Sequence, residues 1–248
     1  MQYRDWVYED GLGSHIHKYT LNILWAETQG HSIYLSYNTS FEHNYENDQG
    51  FYGRMISYIN LHKYWGMPHH INECTIPKVP FFDVFKYCEA DIDAMLETPV
   101  FETIKSRFME NKVDPYDPAF FNVVVHVRRE NKQDVGRLGE RLIADEYYLN
   151  VMKLIREEYA SGVHGTKPLK FHIYSQGDVS KFAAYAGEDV EFHLDETPEK
   201  TMTGFLFGDI LVTSASAMSY SAGFFTSAKV YYKRFWHPPS KKWKVIEL

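Results

Sequence analysis

Cysteine is scarce: Cys74 and Cys88 are the only two in 248 residues, too few for a disulfide framework. Neither has metal-ligand spacing, so both read as buried free thiols. A long apolar run is missing as well. No segment of about 18 apolar residues occurs, and Met1-Gln2-Tyr3-Arg4-Asp5 leads into no hydrophobic leader core. The expectation is a cytoplasmic or otherwise soluble protein without signal peptide or transmembrane helix, in which the sequon Asn38-Thr39-Ser40 has no consequence. Basic residues are in deficit, 26 Lys and Arg against 33 Asp and Glu, for a net charge of −7. That balance disfavours nucleic acid as a partner and leaves room only for a local basic pocket. There is no repeat or low-complexity array.

What is present is ordinary globular material with one excess. Hydrophobic residues make up 44% and charged residues 24%, enough for one large domain or two smaller ones. Aromatics reach 17%, with 19 tyrosines. Large rings mostly serve burial, and the other use open to them is a flat surface on which sugars stack.

The most informative stretch is Asn122-Val123-Val124-Val125-His126-Val127-Arg128-Arg129. Continuous rather than alternating hydrophobicity marks a strand buried on both faces of a parallel sheet. Charge is costly inside such a strand, so Arg128 and Arg129 belong at its carboxyl edge, where open α/β sheets bind ligands. Two guanidiniums there suit a diphosphate, with His126 beside them; the plain alternative is a strand-end salt bridge.

Taken in order, Asp10-Gly11-Leu12-Gly13-Ser14 opens a helix over 15–29 that ends at Gly30, with Ser14 as a cap and helix-start amides available to an anion. His31 to Leu35 reads as a strand. The polar, aromatic region 38–60 reads as containing a surface loop. His69-His70 lack the third ligand that a catalytic zinc needs, so no metal site is assigned. An amphipathic stretch follows from Phe85 to Met109, broken near Pro99. Two Asp-Pro pairs, Asp114-Pro115 and Asp117-Pro118, disfavour regular structure and set the domain boundary, giving residues 1–115 and 116–248.

Beyond the arginines, residues 130–142 are charged and include Gly136 and Gly139, as a mobile active-site loop would. Asp145 is expected to cap a helix over 146–159, and strands follow at 169–174, 190–194 and 209–213. After the last of these stands Ser214-Ala215-Ser216-Ala217-Met218-Ser219. Small hydroxyl residues at a strand-to-helix turn combine hydroxyl donors with helix-start amides, as a phosphate cradle does, and they also serve as ordinary caps. Lys229 to Leu248 reads as a strand and a basic tail. Strands alternating with helices make the fold class α/β.

Three separated segments resemble the fucosyltransferases of the α1,2-, α1,6- and protein-O-fucosyl group. Residues 10–19, DGLGSHIHKY, are similar to that family's N-terminal G-L-G-N-Q-x-F-Q-Y region. His126-Val127-Arg128-Arg129 resembles its H-x-R-R-x-D motif, and Ser214 to Ser219 its late S-x-S-x-x-S segment. Asp145-Glu146-Tyr147-Tyr148 falls where the family often has an acidic-Tyr pair.

The resemblance implies a GT-B-like fold, two Rossmann-like lobes facing a cleft, with an acceptor-side lobe over 1–115 and a nucleotide-sugar-binding lobe over 116–248. It implies an inverting glycosyltransferase that moves fucose from GDP-fucose to a glycan hydroxyl and requires no metal or other cofactor. Arg128 would be the leading β-phosphate ligand and Arg129 a supporting one. His126 would approach the nucleotide, and Asp195 would read the guanine edge. Ser214, Ser216 and Ser219 would form the cradle, while Gly11 and Gly13 shape the donor site from the first lobe. Glu130, Asp134 and Glu140 are the carboxylates from which the acceptor's base would come. One departure stands out: Asn131 occupies the place of the motif's aspartate, and an amide cannot balance a guanidinium charge. Two other readings remain, a glycosyltransferase using a different nucleotide sugar and a non-catalytic carbohydrate-binding module of the same fold.

Overall fold

Val123, Val124 and Val125 are each fully buried in the interior of a parallel sheet, as three consecutive valines require. The structure is a computed structural model that describes residues 1–5, 9–37, 40–130, 139, 142–162 and 166–247. Contacts divide the chain into two compact units, Met1–Lys112 and Val113–Leu248. No helix among the described residues is long and apolar enough to cross a membrane.

In the first unit, strands β1 (Gln2–Arg4) and β2 (Ser32–Tyr34) pair in parallel, joined by helix α1 (Leu12–Thr28). Parallel strands need such a crossover, because a hairpin cannot connect them. Single parallel bridges set Lys78 beside Arg4 and Gly66 beside Leu35 and so extend the pattern at both edges. Helix α1 is buried along nearly all its length. It packs against β2, α4 (Phe81–Ala90) and α6 (Pro99–Met109). Helices α2 (Phe51–Ile59), α3 (His62–Trp65) and α5 (Ile92–Leu96) complete the unit with a short 3-10 turn, Glu73–Thr75. The break near Pro99 is real: Pro99 starts α6, with the Thr98 hydroxyl capping the Phe101 N–H at 3.1 Å. Cys74 is exposed in the 3-10 turn, contrary to the expectation of two buried thiols, whereas Cys88 is buried in α4.

The second unit is a single parallel sheet of six strands: β3 (Phe121–His126), β4 (Leu169–Ser175), β5 (Val190–Leu194), β6 (Ile210–Val212), β7 (Lys229–Tyr232) and β8 (Lys244–Val245). Their spatial order is β5-β4-β3-β6-β7-β8. Numbered within the unit, that is 3-2-1-4-5-6, the order of the doubly wound dinucleotide-binding fold. The sequence-expected α/β class therefore holds, and the expected basic tail contains the edge strand β8.

The two faces of this sheet differ in chemistry. Register places Val123 and Val125 beside Phe171 and Ile173 on one side and Ile210 and Val212 on the other. This apolar face is covered by helix α7 (Asp145–Ala160) through Tyr148, Val151, Met152 and Ile155, and by Phe182 and Tyr185 of the 3-10 segment Val179–Tyr185. At roughly 1.5–3 kcal/mol per fully buried large apolar side chain, this face is the main stabiliser of the unit. The opposite face carries Asn122, His126, His172, Tyr174 and His193. Phe205 of α8 (Pro198–Phe207) packs there against the rings of His126 and Tyr174. A Cβ on Gly204 would stand 2.2 Å from the Tyr174 hydroxyl, so a larger residue there would displace that buried ring. Helix α9 (Ala217–Phe225) follows β6 and is buried along most of its length.

Candidate functional site at the sheet switch point

Strand order reverses between β3, whose crossover runs toward β4, and β6, whose crossover runs toward β7. In open α/β sheets the loops beyond the carboxyl ends of two such strands diverge and leave a crevice. The loop after β3 carries Val127, Arg128 and Arg129, and the loop after β6 carries Ser214 and Ser216. Pairing of Val125 with Val212 brings these loops together.

Three serines organise the crevice. Ser216 is the N-cap of α9, its hydroxyl accepting from the Met218 N–H at 3.3 Å. The same oxygen receives a hydrogen bond from Arg128 Nη1 at 3.0 Å. Ser214 Oγ and Ser219 Oγ lie 2.9 and 3.0 Å from His126 Nδ1. Ser219 Oγ also accepts from the Ser214 N–H at 3.2 Å. All three serines are buried, and Arg128 is half-buried at their edge.

His126 is a neutral member of this group. Burial, helped by the neighbouring Arg128 charge, pushes its pKa down to about 3. It therefore acts by hydrogen bonding and packing near pH 7. The positive charge of the site comes from Arg128, next to the N-terminus of α9, where backbone N–H groups add a partial positive charge.

Arg129 faces another way. Its guanidinium pairs with Asp145 at the first turn of α7, and Asp145 also accepts from the Tyr185 hydroxyl at 2.5 Å. Burial on its own would lower the Arg129 pKa, but the Asp145 hydrogen bond and charge outweigh it and raise the value. Asp145 was expected as the helix cap; Ala144 takes that position, and the carboxylate serves the arginine instead. Tyr148 completes the surroundings as a fully buried ring of α7 packed against Tyr147, with burial pushing its phenol pKa up.

Asp195 stands apart, exposed at the end of β5 with φ +54°. Its carboxylate accepts from the Gly177 N–H at 3.1 and 3.2 Å and joins the loops that follow β4 and β5. Glu130 is exposed next to Arg129. Asn131, Asp134, Gly136 and Glu140 lie outside the described residues, as do Asn38 and Thr39. In the first unit, Gly11 is the N-cap of α1 and Gly13 lies within it. The helix start is already served by the Asp10 carboxylate, which accepts from the Gly11 N–H at 2.9 Å, Ser14 Oγ at 2.6 Å and Lys18 Nζ at 2.7 Å. Ser14 is thus a partner of Asp10 and not the cap. A Cβ on Gly11 would meet the His43 ring at 2.9 Å, so close approach accounts for that glycine. His69 and His70 are exposed and, among the described residues, belong to no cluster of three metal-ligand side chains.

No protein-family model and no curated protein matches the chain. Similarity is found among solved structures. A fucosyltransferase NodZ from Bradyrhizobium aligns over 90% of this chain and 93% of its own, with 10% identity and a TM-score of 0.45. NodZ alpha-1,6-fucosyltransferase co-crystallized with GDP aligns over 90% and 92%, with 10% identity and a TM-score of 0.43. The same enzyme soaked with GDP-fucose aligns over 90% and 92%, with 9% identity and a TM-score of 0.39. Superpositions this loose leave donor, acceptor and mechanism to be argued from the residues.

Sequence reasoning missed Tyr185 and Phe205. Tyr185 reaches Asp145 across 40 positions, and Phe205 closes the crevice behind His126 from a helix whose apolar residues look like any other core stripe.

Proposed function

We propose that the chain is a glycosyltransferase that takes GDP-fucose as donor and transfers fucose, with inversion, to a glycan hydroxyl. The observation that carries this reading is the Arg128–Ser216 hydrogen bond at the switch point, which joins two of the three segments that resemble fucosyltransferases. In the proposed complex the donor's diphosphate lies over the N-terminus of α9. Arg128 contacts the β-phosphate, and the hydroxyls of Ser214, Ser216 and Ser219 shape the cradle. Arg129 supports from behind through Asp145, and Asp195 reads the base.

Charge dictates the chemistry. Cleavage between the anomeric carbon and the β-phosphate oxygen leaves negative charge on GDP and an oxocarbenium-like sugar. A guanidinium held in place before the bond breaks stabilises that charge without reorganisation, and removing one such donor typically costs about 100-fold or more in rate. The acceptor hydroxyl attacks from the opposite face and gives its proton to a carboxylate, for which Glu130 is the candidate among the described residues. The aromatic excess goes into core packing, with Tyr19, Tyr148, Tyr220, Tyr231 and Tyr232 among the largest fully buried side chains.

The test is a donor panel: binding and slow hydrolysis of GDP-fucose, GDP-mannose, UDP-sugars and dTDP-sugars by purified protein. GDP-fucose should bind and turn over. Turnover of another donor would keep the enzyme class and change the sugar, whereas glycan binding without any nucleotide-dependent turnover would make the chain a carbohydrate-binding module.

A further inference from the structure

Away from the switch point, on the polar face of the second unit's sheet, three ligand-type side chains converge: His172 on β4, and Glu191 and His193 on the edge strand β5. Their hydrogen bonds fix the proton on His172 and favour one tautomer of His193. The Asn122 side-chain nitrogen donates to the carbonyls of Asp117 and Phe120 at 3.1 and 3.3 Å, so Asn122 Oδ1 points the other way and can only accept. It lies 3.0 Å from His172 Nε2, which must carry the proton and leaves a lone pair on Nδ1. His193 Nδ1 faces the Glu196 carboxylate at 3.4 Å, and with the ring proton held there Nε2 presents a lone pair. His193 Nε2 is then left 3.1 Å from the His172 Nδ1 lone pair and 3.5 Å from Glu191 Oε1.

Three electron-rich atoms around one point repel unless a cation lies among them. A proton on His193 Nε2 can be directed well at only one acceptor, whereas a divalent ion satisfies all three. From this juxtaposition we infer that His172 Nδ1, His193 Nε2 and Glu191 Oε1 form a site for a borderline transition-metal ion of the Zn2+ class. Zinc–nitrogen bonds of 2.0–2.1 Å at tetrahedral angles set ligand nitrogens about 3.3 Å apart, close to the 3.1 and 3.5 Å that separate His193 Nε2 from its two neighbours, and all three ligand atoms lie within 4.8 Å of one another. Two imidazoles and a carboxylate suit Zn2+, Co2+ or Ni2+ better than Mg2+ or Ca2+. Each histidine already has an oxygen behind its second nitrogen, the arrangement that orients metal-bound imidazoles. Tyr174 stacks on His193 at 4.4 Å and holds the ring in place. Lys170 Nζ lies 3.2 Å from Glu191 Oε2, which leaves Oε1 turned toward His193. Glu191 is exposed, so solvent supplies the remaining coordination position. The ion clamps β5 to β4 and, through Asn122, to β3; no step of the proposed transfer passes through it.

The test uses the full chain, stripped with chelator, desalted and titrated with Zn2+ alone and with Co2+ alone. One equivalent should bind, with visible Co2+ absorption of a nitrogen-ligated centre and a rise in thermal midpoint of roughly 5 °C at saturating Zn2+. His193→Gln should abolish the Co2+ signal, and Glu191→Gln should weaken binding about tenfold or more. Because Glu191 is exposed, Glu191→Gln stays folded and is readable whatever His193→Gln does to the fold. A His69→Gln/His70→Gln double variant should bind as the parent does. Absence of a one-equivalent site in the parent, undiminished affinity in Glu191→Gln, or loss of the signal in the His69/His70 variant would each overturn the inference.

Discussion

Arg129 and Asp145 form an ion pair at the first turn of α7, and this pair gives the two adjacent arginines different roles. Arg128 turns to Ser216 at the helix N-terminus, while Arg129 is held in a nest of Asp145, Tyr185 and the Phe182 ring. Arg129 is the structural partner of an arginine that lines the crevice. Asp145→Asn should therefore weaken donor binding only a few-fold and cost about 1 kcal/mol of stability, since the pair is partly exposed. Isothermal titration with GDP and urea denaturation of the same samples check both; a loss of binding as large as that of an Arg128 variant would contradict the division of roles.

His126 should not titrate in the working range. With its pKa near 3, the imidazole is neutral from about pH 4 upward, so donor affinity should show no inflection near pH 6.5 that His126→Asn removes. A binding profile between pH 5 and 8 reads this directly. An inflection in the parent that the variant lacks would mean a charged imidazole on the ligand.

Acid should destabilise the first unit before its carboxylates titrate. Burial pushes His15 and His62 down to about 4. Both bind a proton more readily unfolded than folded, so the stability they give is complete above the unfolded value of about 6.5 and is lost as pH falls through the folded value. At most this is on the order of 3 kcal/mol for each group. Urea midpoints should drop between pH 7 and pH 4.5, and less so in His62→Gln. Equal midpoints at the two pH values would contradict the neutral, buried state of both rings.

The two thiols should separate cleanly. Cys74 is exposed, while burial, aided by the Glu89 charge, pushes the Cys88 thiol up to about 12. One equivalent should react with an aromatic disulfide reagent in the native protein and the second only on unfolding. Two fast equivalents would contradict the packing of α4 against α1.

Much of this was legible because parallel sheets write themselves into sequence as continuous apolar runs. Val123 to Val125 announced β3, and Arg128 after it announced the carboxyl edge. Ser214 to Ser219 marked a helix start that the structure places beside that edge. Local signals failed where one residue type has two uses. Asp145 and Ser14 both look like caps; Ala144 and Gly11 hold those positions, and the two side chains bond to Arg129 and Asp10 instead. Contacts over long separations left no trace, as with Tyr185 on Asp145 or Asn122 on His172, because the spacing that creates them exists only after the strands are in register. Of the two readings of the arginine pair, Arg129 follows the salt-bridge one through Asp145, while the anion-site reading of Arg128 stands as the proposal above.

The most direct test is the affinity of the full chain for GDP at fixed salt, measured by calorimetry for the parent and for Arg128→Ala. A charge-assisted contact is worth about 1.5–3 kcal/mol, so the variant should bind at least tenfold more weakly with its fold intact. Equal affinity in the two proteins, or no GDP binding by the parent at millimolar concentration, would contradict a diphosphate site at the switch point.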